Sequence, residues 1–148
     1  MKRLTVPALV LSLLIGVAPA LSWAAAGSKR VTLYKDPGCM CCEGYADYLR
    51  ANGFDVTVVG THDLPLLNAK HHIPADLQGC HLSEVDGYFV GGHVPVDAVN
   101  RLLSERPSIE GITLPGMPSG SPGMFGEKAG SFVIYGIANG KSQVYATE

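Results

Sequence analysis

From residue 31 onward the chain alternates between short β-patterned runs and amphipathic stretches. Val31-Thr-Leu-Tyr34 is β-branched and aromatic and predicts a first strand. Asp36-Pro-Gly38 predicts a turn. From about Cys41 the period changes, with Cys42, Tyr45, Tyr48 and Leu49 recurring at helical spacing. Glu43 in the first turn, Arg50 in the last and Gly53 beyond it mark a first helix. Residues 54–59 predict a second strand, and 63 to about 71 a weaker helix with Leu64, Leu66 and Leu67 on its apolar side, ended before Pro74. Residues 80–85 and 88–91 flank Asp86-Gly87, a type I′ hairpin signal. Pro95 opens a third helix with Val96, Val99, Leu102 and Leu103 on one face, stopped before Pro107. A Gly-, Pro- and Met-rich loop is expected from about 111 to 130. A last hairpin, 131–137 and 142–146, then turns at Asn139-Gly140.

This order reads as an α/β fold: a thioredoxin-like β-α-β-α-β-β-α core with an added C-terminal loop and β-hairpin. The assignment is by analogy of order and placement, since a first strand leading to cysteines at the start of the first helix marks that fold. No internal repeats are present.

The first residues change the picture of where the chain works. Lys2 and Arg3 form a positive n-region, residues 4 to about 21 are apolar, and Ala24-Ala25-Ala26 is a small-residue cleavage site. Residues 1–26 are therefore expected to be a cleaved signal peptide of the Sec type, leading to the periplasm. The alternative is an uncleaved anchor, because the apolar stretch is almost long enough to span. Residues 27–148 are then a single domain. It has no second long apolar run, so no stable membrane insertion is expected after cleavage. Loss of Lys2 and Arg3 leaves a formal charge of about −4 and no basic patch, which argues against a nucleic-acid partner.

The candidate chemistry centres on Cys39-Met40-Cys41-Cys42 and the distant Cys80. Four cysteines in an oxidising compartment first suggest two structural disulfides. Bridges between such near neighbours as Cys41 and Cys42 are strained, however, and only one of the crowded cysteines can pair with Cys80 at a time. A helix N-terminus favours thiolates, which are both nucleophiles and metal ligands. Cys39 and Cys42 form a C-x-x-C pair of redox type. Cys41 is surplus to an exchanger but useful to a polythiolate metal site. The element order puts Cys80 near the position where thioredoxin-like redox proteins keep a cis-proline facing the cysteines. Four convergent sulfurs select Cu(I) first and zinc next, and bridging thiolates favour a polynuclear copper site.

His81, beside Cys80, and His93, after Gly91-Gly92, are candidate auxiliary ligands, with surface or capping roles as the alternative. Met117 and Met124 offer thioethers in the long loop, or else fill space beneath it. Met40 either joins the cluster or points away. His62, His71 and His72 read as solvated. No G-x-S-x-G, H-E-x-x-H or G-x-x-x-x-G-K motif offers another catalytic reading.

Four ordered motifs carry a resemblance: Tyr34-Lys-Asp-Pro-Gly-Cys-Met-Cys-Cys42, Gly79-Cys-His81, Val85-Asp-Gly-Tyr-Phe-Val-Gly-Gly-His-Val-Pro95 and Pro115-Gly-Met-Pro-Ser-Gly-Ser-Pro-Gly-Met124. Together they resemble the bacterial CopG-like periplasmic copper-resistance family over nearly all of residues 27–148. The resemblance implies a thioredoxin-like protein that binds copper through Cys39, Cys41, Cys42 and Cys80. It also implies work beside copper efflux and oxidase proteins, with interconversion of Cu(I) and Cu(II). His81, His93, Met117 and Met124 match the family's other motif residues. The competing expectation is a thiol–disulfide oxidoreductase using Cys39 and Cys42.

Overall fold

The computed structural model describes residues 29–148; the expected signal segment and its cleavage site lie outside the described residues. The chain order is β1 (Arg30–Lys35), α1 (Met40–Ala51), β2 (Asp55–Gly60), α2 (Leu64–Lys70), a 3₁₀ turn (Ala75–Leu77), β3 (His81–Val85), β4 (Tyr88–Gly92), α3 (Val96–Glu105), β5 (Gly111–Leu114), β6 (Val133–Ala138) and β7 (Lys141–Thr147). The seven strands form one mixed sheet in the order β2-β1-β3-β4-β5-β6-β7. Strand β1 runs parallel to β2 and antiparallel to β3, and β3 and β4 form a hairpin. The expected β-α-β-α-β-β-α order is therefore present in an α/β fold.

One stretch departs from expectation. Residues 111–114, expected to be loop, form β5, which pairs parallel to β4 and antiparallel to β6. All four residues are buried, and Ile112 and Leu114 belong to the core. The C-terminal hairpin is thus an extension of the main sheet, joined to it through β5. The covering loop proper is correspondingly shorter. Helix α2 departs too: Leu66 is 69 % exposed, and its buried residue is Asn68.

Both faces of the sheet carry a core. On one, Val31 and Leu33 of β1 meet Tyr45, Ala46 and Leu49 of α1 and Val99 and Leu102 of α3. On the other, Leu82, Phe89 and Ile137 pack with Ile73 and Leu77. Each fully buried leucine here stabilises the fold by about 1.5–3 kcal/mol. The two hairpin turns carry the positive φ that type I′ turns require, at Asp86 and Gly87 and at Asn139 and Gly140. Among the described residues no helix is long and apolar enough to cross a membrane.

The sheet's pairing gathers the chemistry at one end. The register sets Lys35, the last residue of β1, opposite both Gly60 at the end of β2 and His81 at the start of β3. Gly92, the last residue of β4, pairs with Leu114, the last of β5. The start of α1, the segment before β3 and the β4–α3 connection therefore converge there.

Candidate metal centre

Helix α1 begins at a turn built by Asp36, whose side chain accepts the Gly38 N–H at 2.9 Å and whose carbonyl accepts the Cys39 N–H at 2.9 Å. Cys39 is the N-cap and makes no side-chain capping bond, so its sulfur is spared for other contacts. Helical geometry then turns Cys42 fully inward, leaves Cys41 half-buried and puts Met40 out at 83 % exposure.

The four sulfurs meet. Cys39 and Cys42 are joined as a disulfide, while Cys41 and Cys80 are free. The C-x-x-C pair is thus oxidised here and lies beside two thiols. The Cys41 sulfur lies 3.5 Å from that of Cys39 and 3.9 Å from that of Cys80. The Cys80 sulfur lies 3.5 Å from that of Cys42 across 38 positions of sequence. All four sulfurs fall within 4.8 Å of one another. Cys80 sits just before β3, at the expected place, and no peptide bond among the described residues is cis.

Cys80 also belongs to a second convergent set, with His81 and His93. Its sulfur is 3.5 Å from His81 Nδ1 and 3.4 Å from His93 Nε2. His93 Nδ1 donates to the Pro122 carbonyl at 2.7 Å, which leaves Nε2 as the lone-pair nitrogen facing the sulfur. The two imidazole rings stand edge to face at 5.0 Å, and Tyr45 packs against both. The Tyr45 hydroxyl is anchored on the Val94 carbonyl at 2.9 Å. Tyr48 adds a second tie, its hydroxyl accepting the N–H of Val96 at 2.9 Å at the start of α3.

Burial governs the charge states. It pushes the Cys80 thiol up to about 12, with the Cys41 sulfur acting in the same direction. It pushes the His81 imidazole down to about 3, with His93 adding to the effect and the Gly92 backbone opposing it. It also lowers His93, against the opposing pull of the Pro122 carbonyl. Both histidines are therefore neutral donors at physiological pH. Soft sulfurs and neutral imidazoles at a helix N-terminus fit a soft or borderline metal ion.

The loop after β5 lies over this centre. Gly123 packs so closely on α1 that a Cβ there would come 2.4 Å from the Tyr45 nitrogen, and its φ is +79°. From the other side, a Cβ on Gly44 would sit 3.0 Å from the Gly123 carbonyl oxygen. Two glycines thus let loop and helix backbones touch. Met124 is half-buried in this loop, and Met117 is 41 % exposed. The other histidines lie in separate contacts: His62 with Asp36, His71 with Glu84, and His72 with Glu110.

Sequence reasoning passed over Lys35. It is 5 % exposed, and its ammonium donates to the carbonyls of Asp36, Pro37 and Cys39 at 3.2–3.3 Å and pairs with Glu43 at 3.1 Å. The period of β1 was the available signal, because Val31, Leu33 and Lys35 share the inward face.

Comparison with known proteins adds the context. A family model described as a protein of unknown function, DUF411, matches residues 77–124. Two solved structures titled "Copper resistance protein copG", forms 1 and 2, are each 34 % identical to this chain with a TM-score of 0.74. Both cover 80 % of this chain, which in turn covers 97 % of form 2 and 96 % of form 1. The comparison with curated proteins finds no match. With a third of its residues identical over four fifths of its length, the chain belongs to the CopG copper-resistance protein family.

Proposed function

We propose that the protein handles copper in the periplasm after Sec-type export, as a single thioredoxin-like domain over residues 27–148. In this reading it captures Cu(I) in a polynuclear cluster held by Cys39, Cys41, Cys42 and Cys80. His93 and His81 are auxiliary ligands on the Cys80 side, and Met117 and Met124 are thioether donors in the covering loop. The observation that carries the reading is the gathering of four sulfurs within 4.8 Å at the start of α1. Thiolates select Cu(I) over the other ions available to a periplasmic protein, with zinc the nearest rival. Efflux and oxidase proteins are the fitting exchange partners.

The Cys39–Cys42 disulfide points to a redox role in the same site. Two Cu(II) ions each take one electron from the reduced pair. The two thiols lose their protons and join as the disulfide, and two Cu(I) ions are released to the remaining donors. Anaerobic mixing of fully reduced protein with Cu(II) tests this step. It is expected to yield two Cu(I) per disulfide formed; no thiol loss and no Cu(I) would sink it.

The metal site itself is tested by X-ray absorption on protein expressed in the periplasm with added copper. A sulfur shell with a short copper–copper vector is the expected result. Protein that carries no copper, or copper in a shell of nitrogen and oxygen alone, would overturn the cluster. A second reading, a thiol–disulfide oxidoreductase, is favoured by the C-x-x-C disulfide. It requires insulin-reducing activity that survives Cys41→Ser and Cys80→Ser.

A further inference from the structure

Lys35 is the one lysine among the buried polar residues of the described chain, and it lies beneath the Cys39–Cys42 turn. Lysine is almost never fully buried without partners, because removing an ammonium from water costs several kcal/mol. Here its partners are three carbonyls of one turn, Asp36, Pro37 and Cys39, together with the Glu43 carboxylate. That set differs from an ordinary ion pair. Three of the four acceptors are neutral, and the single carboxylate belongs to a half-exposed residue at 48 % side-chain exposure. The pair's charge is therefore unevenly screened, with the cation dry and the anion in contact with water.

The cation's position matters more than its burial. Lys35 faces inward with Val31 and Leu33, and the antiparallel register sets it directly opposite His81. His81 Nδ1 is 3.5 Å from the Cys80 sulfur, and the Cys80 sulfur is 3.5 Å from that of Cys42. On its other side Lys35 holds the carbonyl of Cys39 itself. The positive charge thus sits behind the peptide that carries one sulfur of the disulfide. The unpaired N–H groups at the start of α1 add partial positive charge from the front. Asp36 also feels the ammonium, but its carboxylate is already engaged by the Gly38 N–H and by His62.

We propose that Lys35 is a positioning residue that sets the redox equilibrium of the Cys39–Cys42 pair, with Glu43 as its counterweight. Reduction turns a neutral disulfide into sulfurs that carry negative charge. An external dithiol supplies two electrons and becomes a disulfide. The protein pair emerges as one thiol and one thiolate, and one proton goes to water. A fixed cation behind Cys39 stabilises that product and leaves the disulfide almost untouched, so it makes the pair easier to reduce. Glu43 offsets part of the effect. The consequence for copper loading rests on the copper reading above, because only the reduced pair adds its sulfurs to Cys41 and Cys80. The redox effect itself does not depend on copper.

The test is a redox titration of metal-free protein in a dithiothreitol buffer, with the disulfide fraction read by thiol trapping and mass. Lys35→Met is expected to shift the equilibrium toward the disulfide by at least tenfold, about 30 mV for a two-electron couple. Lys35→Arg, which keeps the charge, is expected to stay within threefold. Glu43→Gln, which frees the cation from its counterion, is expected to move the equilibrium the opposite way, toward the dithiol. A merely structural role for Lys35 would not produce opposite signs for the two members of one ion pair. Equal equilibria in all variants, or Lys35→Met and Glu43→Gln moving together, would overturn the proposal. Where Lys35→Met does not fold, Lys35→Gln takes its place: a shift toward the disulfide supports the role, and no shift or the reverse overturns it. Because no metal is present, failure here leaves copper binding standing, and failure of copper binding leaves this result standing.

Discussion

His93 ties the covering loop to the sulfur centre: its Nδ1–H donates to the Pro122 carbonyl at 2.7 Å. The same bond fixes which ring nitrogen faces the Cys80 sulfur at 3.4 Å. One side chain therefore both latches the loop and aims a lone pair, in the manner of an outer partner that orients a ligating histidine. The direction of influence runs both ways, since anything that engages Nε2 polarises the Nδ1–H bond to the loop.

Loss of this latch is expected to loosen the loop without unfolding the domain. His93→Leu keeps an apolar side chain against Tyr45 and removes the donor to Pro122. The net worth of such a hydrogen bond is about 1 kcal/mol, or roughly a fivefold change in a local opening equilibrium. Hydrogen exchange at the Met124 amide, which donates to the Ser121 carbonyl at 2.9 Å, reads it directly. Exchange should quicken there about fivefold, with the amides of β1 and β3 unchanged. Equal protection in the variant would show that the loop is held by its other contacts alone.

The glycine contact between loop and helix should be less forgiving. Gly123→Ala places a methyl group 2.4 Å from the Tyr45 nitrogen, at a φ of +79°. Backbone strain of that kind costs about 1–3 kcal/mol by itself, and the clash is with main chain, which cannot swing aside. The loop is expected to lift from the start of α1, and copper bound by the variant should be lost faster to a chelator. Gly44→Ala, whose methyl would stand 3.0 Å from the Gly123 carbonyl oxygen, is expected to act in the same direction with a smaller effect. Thermal unfolding and chelator competition measure the two consequences separately. Chelator loss as slow as in the natural chain would show that the loop does not guard the site.

Much of this arrangement was legible because its signals are local. The change from period two to helical period between Tyr34 and Tyr45 located β1 and α1, and Asp86-Gly87 located the β3–β4 turn. Convergence of Cys80 on Cys42 followed from element order read by analogy with thioredoxin-like proteins. What stayed hidden depends on tertiary context. Strand β5 is only four residues long, Gly111–Leu114, set between proline-bearing segments, and it becomes a strand because β4 and β6 supply its partners on both sides. Leu66 reads as part of an apolar side, yet Asn68 is the buried residue of α2, held by Gln78 at 3.2 Å. Burial of Lys35 runs against the usual habit of lysine and is understood only once the carbonyls of the Asp36–Cys39 turn are in place. The disulfide could not be read from spacing, because Cys39 and Cys42 serve equally well as a redox pair and as two metal ligands.

Cys41 and Cys80 separate the copper reading from the oxidoreductase reading. Neither belongs to the disulfide, so an exchanger should tolerate Cys41→Ser and Cys80→Ser, whereas a cluster should lose copper in both. The larger loss is expected at Cys80, the donor shared by the sulfur set and the imidazole set. Its thiol, pushed up to about 12 by burial, must release a proton when a metal replaces it. Apparent copper affinity should therefore rise with pH between about 7 and 9, by up to about tenfold per unit for that thiol. In Cys80→Ser the pH slope should flatten by one proton. Copper stoichiometry by metal analysis and affinity by competition with a Cu(I) chelator at several pH values check both statements. Unchanged stoichiometry in both variants would favour the exchanger.

The buried histidines also predict how the metal-free fold responds to acid. His81 titrates near 6.5 when exposed, and burial holds it at about 3 in the folded chain. The unfolded chain therefore binds a proton that the folded chain refuses. Stability is complete above about pH 6.5 and is lost as pH falls from there toward 3. Between those limits a fully linked group costs about 1.4 kcal/mol per pH unit. His93 is lowered as well, so it adds to the loss in the same direction. The carboxylates held down by their partners act lower in the range: Glu84 and Glu110 start from 4.5 and Asp36 from 3.8. Glu148 is the opposing case: burial raises it from 4.5, so the folded chain takes up that proton more readily as pH falls. The upper part of the interval from pH 6.5 to 5 therefore reports chiefly on the imidazoles. Denaturant unfolding of metal-free protein across that interval should show falling stability, and His81→Leu should remove close to one proton from the slope. A slope that is the same in His81→Leu would mean that the folded centre admits the proton, by opening or by taking up water, and that the neutral state of His81 is not enforced by its burial.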